Sequence, residues 1–195
     1  LIVCVIISKS RNIGAGDLDR RIGEQTVSGR VGRFGAGKRA GSELPGEING
    51  VIRPTQTWSK ISITSIPMGH EVGVTPLQMT SAMATIANGG KLVTPRIIKS
   101  VTTSDGKVIS SLSPVTQRQV VSPETATQIG EALRGVVSDQ GHAADAAGPG
   151  FVTAGKTGTA QKVHPHGGYA TGKEVVSVRG DQPADHPGVV RGFLV

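Results

Sequence analysis

The chain opens on an unbroken apolar run, residues 1–7 (LIVCVII), and closes on a second one, Phe193-Leu194-Val195. Between them the apolar positions fall into short stretches punctuated by glycine, proline and polar clusters. Residues 8–16 (SKSRNIGAG) are small and polar and predict a loop. Residues 17–33 carry a helical period that Gly23, Gly29 and Gly32 interrupt. Over residues 35–54 glycine and proline recur so closely that an irregular connection is expected. The clearest helix starts at Thr75-Pro76. Thr75 suits the N-cap, Pro76 the first helical position and Gln78 the third, which makes a capping box. That helix runs from Leu77 to about Asn88 and stops at Gly89-Gly90. Apolar and small side chains on most of its faces predict that it is buried.

Residues 92–111 read as a hairpin, with β-rich runs at 97–103 and 107–111 around the turn Ser104-Asp105-Gly106. A second helix is expected from Ser122 as cap and Pro123 at its first position to about Val137. A Gly/Ala-rich link over 141–150 leads into a strand beginning at 151–154. The tail adds strand-like runs at 174–178 and 189–195, joined by a polar turn over 180–188. Helices come first and a cluster of strands follows, with no internal repeat, so the fold class expected is α+β.

A length of 195 residues suggests one domain with room for a core. With 18% charged residues and a mean hydropathy of −0.06, a coiled coil, a disordered chain and a membrane bundle are poor fits. Aromatic residues make up 3%, too few to stack single-stranded bases, and no nucleic-acid partner is expected. The net charge of +7 has one local concentration, Arg20, Arg21, Arg30, Arg33, Lys38 and Arg39, which reads as a solvated face. Cys4 is the single cysteine, so neither a disulfide framework nor a cysteine metal cage is available, and it reads as an apolar core residue. The apolar start is too short to cross a bilayer and has no basic segment before it. Both ends read as cuts through structured elements, so a fragment is expected.

The segment from Gly150 through Lys156 to Thr157 matches the phosphate-loop pattern GxxxxGK[ST]. That pattern needs a strand before it and a helix after it. Neither flank offers one, since residues 143–149 are not strand-like and a His/Gly/Pro loop follows. Read as a strand edge, Lys156-Thr157-Gly158-Thr159 sets an ammonium and two hydroxyls beside a glycine that admits another group close to the backbone. Such a set suits carboxylate recognition at an acyl-transfer site. His164-Pro165-His166 lacks a neighbouring carboxylate, and no metal is expected there. His70, beside the first clear helix, reads as a packing or hydrogen-bonding residue.

The Lys-Thr-Gly element is one of the three elements of the serine acyltransferases that react with penicillin. Ser10-Arg11-Asn12 resembles their Ser-x-Asn element. Phe34-Gly35, Leu44-Pro45-Gly46-Glu47, the run Met68-Gly69-His70-Glu71-Val72 and Val74-Thr75-Pro76-Leu77-Gln78, and Ile86-Ala87-Asn88-Gly89-Gly90 are similar to class B penicillin-binding proteins, in the family's order over residues 8–170. The resemblance implies a partial penicillin-binding/serine β-lactamase-like transpeptidase domain, with residues 1–195 as its C-terminal part. It implies a peptidoglycan D,D-transpeptidase that forms a serine acyl-enzyme on D-Ala–D-Ala stem peptides and is inhibited by β-lactams. By motif, Ser10 would move the proton to the leaving group, Asn12 would hold the substrate amide, and Lys156 would set the electrostatics and the Ser10 hydrogen bond. Thr157 and Thr159 would hold the terminal carboxylate, with Gly158 between them as a third substrate-binding residue and the Thr159 N–H as an oxyanion donor.

The family's nucleophile lies in a Ser-x-x-Lys element upstream of residue 1. Ser104 to Lys107 has that spacing but sits on the Asp-Gly turn. The resemblance further implies an inner-membrane-anchored parent with this domain on the periplasmic side, cell-wall synthesis proteins as partners, and no cofactor. Two departures stand out: Arg11 is bulky where the family has a small residue, and Val178-Arg179-Gly180-Asp181 replaces an apolar strand. They keep open a non-catalytic scaffold that retained the fold, beside the phosphate-loop alternative.

Overall fold

The computed structural model describes residues 2–147, 150, 152–184 and 187–194. Three helices come first: α1 (Ile2–Ser8), α2 (Asn12–Ile22) and α3 (Glu24–Arg33). The loop expected over 8–16 is therefore a tight turn at 9–11 followed by helix. Its small residues serve packing rather than turning. A Cβ on Gly14 would come within 2.7 Å of Ile6, and one on Gly16 within 3.2 Å of Thr64. The interrupted period over 17–33 resolves as two helices broken at Gly23, whose φ of +83° ends α2.

The irregular connection is present and holds only β1 (Val51–Ile52), which pairs with β2 (Val72–Gly73) across the short helix α4 (Ser62–Ser65). The helix α5 (Pro76–Ala87) starts with the expected capping box: Gln78 N–H donates to Thr75 Oγ1 at 3.1 Å, and Thr75 N–H donates to Gln78 Oε1 at 2.7 Å. Gln78 does more than cap. Its buried amide also donates to Lys38 O at 2.6 Å and Asn49 O at 2.9 Å, fastening the irregular stretch to the helix start. The expected burial of α5 is only partial. Gln78 and Thr85 are fully buried and most of its other residues are half-covered, because the strands and the helix that follow it in the chain pack against only part of its surface.

The Asp-Gly hairpin forms between β4 (Ser100–Thr102) and β5 (Val108–Ser111). It is shorter than the apolar run suggested and nested inside an outer pair, β3 (Lys91–Val93) with β6 (Thr116–Gln119). Ile97 and Ile98 lie outside the strands and are exposed. The helix α6 (Pro123–Val137), capped by Ser122 Oγ accepting from Thr125 N–H at 3.2 Å, buries Ala126, Ala132, Leu133, Val136 and Val137. It packs against the main sheet, an antiparallel ladder of order β7-β8-β9: β7 (Ala154–Val163), β8 (Tyr169–Gln182) and β9 (Val189–Leu194). Of the strand start expected at 151–154, Phe151 lies outside the described residues, and the strand begins at Ala154.

The polar turn expected over 180–188 is a correction. β8 continues to Gln182 because Asp181 pairs with Ala154 on one side and Val190 on the other. Ladder pairing on both flanks overrides the polar composition. Cys4 is a second correction, being exposed rather than in the core. α1 is apolar nearly all round but covered only from Ile6 to Ser8, so its first turn faces solvent. The six basic residues between 20 and 39 are exposed, as expected of a solvated face.

Two consequences can be measured. Gln78→Leu removes the buried amide that serves the Lys38 and Asn49 carbonyls and the Thr75 N–H, and urea unfolding should show a loss of about 3 kcal/mol. Burial raises the Asp181 carboxyl above its ordinary value of 3.8. The folded chain thus keeps that proton after the unfolded chain has released it, and stability falls as pH climbs through this window. Asp181→Asn should accordingly raise Tm at pH 7, with the difference closing below pH 4.

Candidate active site

Helix α1 ends at Ser8, and the chain reverses through a turn in which Ser10 takes φ +49°, a left-handed conformation uncommon for a residue with a side chain. This turn meets the start of β7. Lys156 Nζ donates to Ser10 Oγ at 2.8 Å and to Thr157 O at 2.9 Å. Burial of the ammonium pulls its pKa below the ordinary lysine value. Two residues 146 positions apart thus share a proton-bearing contact at the rim of the sheet.

Among the described residues β7 pairs only with β8, so its other edge is free. An edge strand presents unpaired backbone donors and acceptors to any extended chain that comes alongside. Strand alternation puts Gly155, Thr157 and Thr159 on one face and Lys156 and Gly158 on the other. The first face looks toward α6, since a Cβ on Gly155 would meet Val137 at 3.5 Å.

Thr157 Oγ1 is 2.5 Å from His142 Nε2, and His142 Nδ1 is 2.9 Å from Ser8 O. Lys9 Nζ also donates to Gln140 O. The segment after α6 therefore ties the end of α1 to β7 from one side, while Lys156 ties Ser10 to it from the other. Sequence reasoning missed His142. It stands in a link of glycine and alanine with no periodicity, and the only available signal was a titratable ring among small residues.

Of the six residues singled out from the sequence, the structure joins Ser10, Lys156 and Thr157 through hydrogen bonds. Asn12 opens α2 and is exposed, and Gly158 and Thr159 continue β7, also exposed. None of these three makes a side-chain hydrogen bond to the cluster among the described residues. The site is an open edge rather than a closed pocket. An apolar cavity of about 420 Å³ lies elsewhere, between α2, α3 and the start of α5, lined by Ile22, Val27, Phe34, Val72 and Met79.

The phosphate-loop alternative does not survive. Residues 155–157 lie in the β7 ladder, and a turn at 164–168 follows the strand where a helix would be needed. Ser104 lies in the β4–β5 turn. The His164 and His166 rings are 5.4 Å apart on the exposed β7–β8 connection. Among the described residues no three His, Cys, Asp or Glu side chains gather as a metal site would require. His70 packs its ring on Tyr169, with centroids 4.8 Å apart.

Residues 5–195 match the family described as the penicillin binding protein transpeptidase domain. The chain belongs to this family. It is 38% identical over 197 aligned residues to the penicillin-binding protein PbpB of Mycolicibacterium smegmatis, covering 97% of this chain and 30% of that protein. It is 36% identical to the stage V sporulation protein D of Bacillus subtilis, covering 95% of this chain and 28% of that protein. Among solved structures, penicillin binding protein 3 of Mycobacterium tuberculosis in its ampicillin complex superposes with a TM-score of 0.91 at 36% identity, over 98% of this chain and 44% of that one. The chain thus spans about 30% of the length of these curated relatives. The fold is that of a penicillin-binding transpeptidase domain in part, with the helices and antiparallel sheet described above.

The buried ammonium gives a test of the Lys156 environment. With its pKa lowered in the folded chain, Lys156 sheds its proton there before it does when unfolded. Stability should rise with pH up to the ordinary lysine value of 10.5, and Lys156→Met should abolish that slope in urea unfolding between pH 8 and 10.5.

Proposed function

We propose that this chain is the C-terminal part of a peptidoglycan D,D-transpeptidase domain, and that the β7 edge with the Ser10 turn is its acyl-transfer site. The observation that carries the reading is the Lys156 Nζ to Ser10 Oγ hydrogen bond at a free strand edge bearing Lys-Thr-Gly-Thr. A stem peptide ending in D-Ala–D-Ala adds to that edge as an extra strand. The Thr157 and Thr159 hydroxyls receive its terminal carboxylate, Lys156 supplies positive charge, and Asn12 holds a substrate amide.

The nucleophilic serine belongs to a Ser-x-x-Lys element contributed by chain preceding these residues in the parent. Its attack on the penultimate D-Ala carbonyl, with its proton passing to the lysine of that element and on to Ser10, forms an ester as the bond to the terminal D-Ala breaks, and the Thr159 N–H stabilises the oxyanion. Because Lys156 donates to Ser10 Oγ, the Ser10 hydroxyl keeps its own proton available for the departing D-Ala amine. The amine of a second stem peptide then attacks the ester, forming the cross-link and freeing the serine. A β-lactam enters the same path, its ring amide taking the place of the scissile bond. Cell-wall synthesis proteins as partners and an anchored, extracytoplasmic parent belong to the same reading. Among the described residues no helix is long and apolar enough to cross a membrane.

A fluorescent penicillin tests this reading. The 195-residue chain alone should take no covalent label, whereas the protein carrying the upstream Ser-x-x-Lys should. In that protein Ser10→Ala or Lys156→Ala should slow acylation by about 10²–10⁴-fold, the usual range for losing proton transfer or charge stabilisation. Label on a serine of the isolated chain would contradict the assignment, and full-rate acylation of both variants would favour a scaffold that kept only the fold.

A further inference from the structure

We propose that His142 fixes the direction of the Thr157 hydroxyl proton and thereby couples carboxylate capture at the β7 edge to uptake of one proton. The inference rests on the reading that this edge receives a peptide carboxylate. It starts from two hydrogen bonds that share one ring. Ser8 O is a carbonyl and can only accept, so His142 Nδ1, 2.9 Å away, carries a hydrogen. In the neutral ring Nε2 is then a bare lone pair. The 2.5 Å contact with Thr157 Oγ1 is therefore made by the threonine hydroxyl donating to the ring.

That polarity is wrong for the ligand. With its only proton committed to His142, Thr157 presents lone pairs to an incoming carboxylate, which also has only lone pairs. A proton added at Nε2 reverses the contact. The imidazolium keeps its Nδ1–H bond to Ser8 O and donates through Nε2 to Thr157 Oγ1, and the threonine proton is released to donate to the carboxylate. Each anion bound brings one proton to Nε2, and the new hydrogen bonds are charge-assisted.

The surroundings fit this coupling. Lys9 reaches the neighbouring Gln140 O from the α1 turn, and Lys156 adjoins Thr157 on β7. The segment of His142 itself carries Asp139 and Asp145, and the last turn of α6 carries Arg134. None of these carboxylates hydrogen-bonds the His142 ring among the described residues. With cations on both packed elements, the ligand carboxylate is the counter-charge that the imidazolium lacks in the free site. Ser8 O and Thr157 hold the ring from opposite sides, so the proton changes donor direction without moving the backbone. His142 acts through Thr157 and is a positioning residue.

The experiment is calorimetric binding of an N-acetylated peptide ending in D-Ala–D-Ala to the full chain, at a series of pH values from 5 to 8. The C-terminal amide of the same peptide is the control. Affinity for the acid should rise as pH falls, by up to tenfold per pH unit, with uptake of one proton seen by comparing buffers of different ionisation enthalpy. The amide should show neither effect. His142→Gln, which can still span Ser8 O and Thr157 but cannot take a charge, should bind with a flat pH profile. Thr157→Val should lose the slope as well, and it serves as the second variant if the first does not fold. Binding with an unchanged slope in both variants would overturn the inference and leave the site reading standing. Absence of binding by acid and amide alike at every pH would overturn both. In the free chain, ring nitrogen NMR should show the Nδ1–H form at pH 8, and an Nε2–H form would refute the role of His142 whatever the peptide does.

Discussion

An ammonium drawn partly out of water needs acceptors, and Lys156 finds two of them: the carbonyl of its own neighbour Thr157 and the hydroxyl of Ser10. The second is available only because α1 stops where it does and the chain turns back through a left-handed residue. The Ser10 conformation, the docking of α1 against α6 and the position of β7 at the sheet rim are thus one problem with one solution. A shift of about an ångström in any of them would break a 2.8 Å bond and leave a half-buried cation uncompensated.

The same rim is tied a second time, through His142, Gln140 and the end of α1. This second tie differs in kind from the first. Lys156 brings a fixed donor to Ser10, whereas the imidazole can exchange donor and acceptor roles without changing place. The proposed capture of a carboxylate draws on both: the positive charge of Lys156 beside the strand and a hydroxyl whose proton can be turned outward. β7, unpaired on one side, supplies the ordered backbone along which an extended peptide can lie.

Farther from the rim, Gln78 shows how an irregular stretch becomes rigid without regular secondary structure. Its buried amide closes the α5 cap and takes up carbonyls of Lys38 and Asn49, so the connection between α3 and β1 has internal partners for its backbone. Asp181 shows the opposite economy. A carboxylate sits near the end of the central strand, where pairing on both sides holds the strand together and burial works against the charge.

Local rules were enough for the two capped helices. Thr75, Pro76 and Gln78, and likewise Ser122 and Pro123, encode their helix starts in side chains that bond within four residues, as Asp105-Gly106 does for its turn. Ordered motifs such as Ser10-x-Asn12 and Lys156-Thr157-Gly158 also pointed to the family and to the residues worth watching, because chemistry constrains them together. Other features were beyond local reading. Gly14 and Gly16 looked like loop residues because their reason for being small is contact with Ile6 and Thr64 from other segments. Gly180 and Asp181 looked like a turn because their own composition does not record the pairing with Ala154 and Gly155 on one side and Val190 and Arg191 on the other. Cys4 looked buried because an apolar run does not state which of its faces is covered. His142 carried only the faint signal of a ring among small residues, since its meaning lies in Ser8 and Thr157, 134 and 15 residues away. The sequence by itself determined the capped elements and the class of fold, and its motifs singled out Ser10, Lys156 and Thr157 before their contacts were known. Tertiary structure alone decided which groups meet, because hydrogen bonds between distant segments depend on packing that no local pattern records.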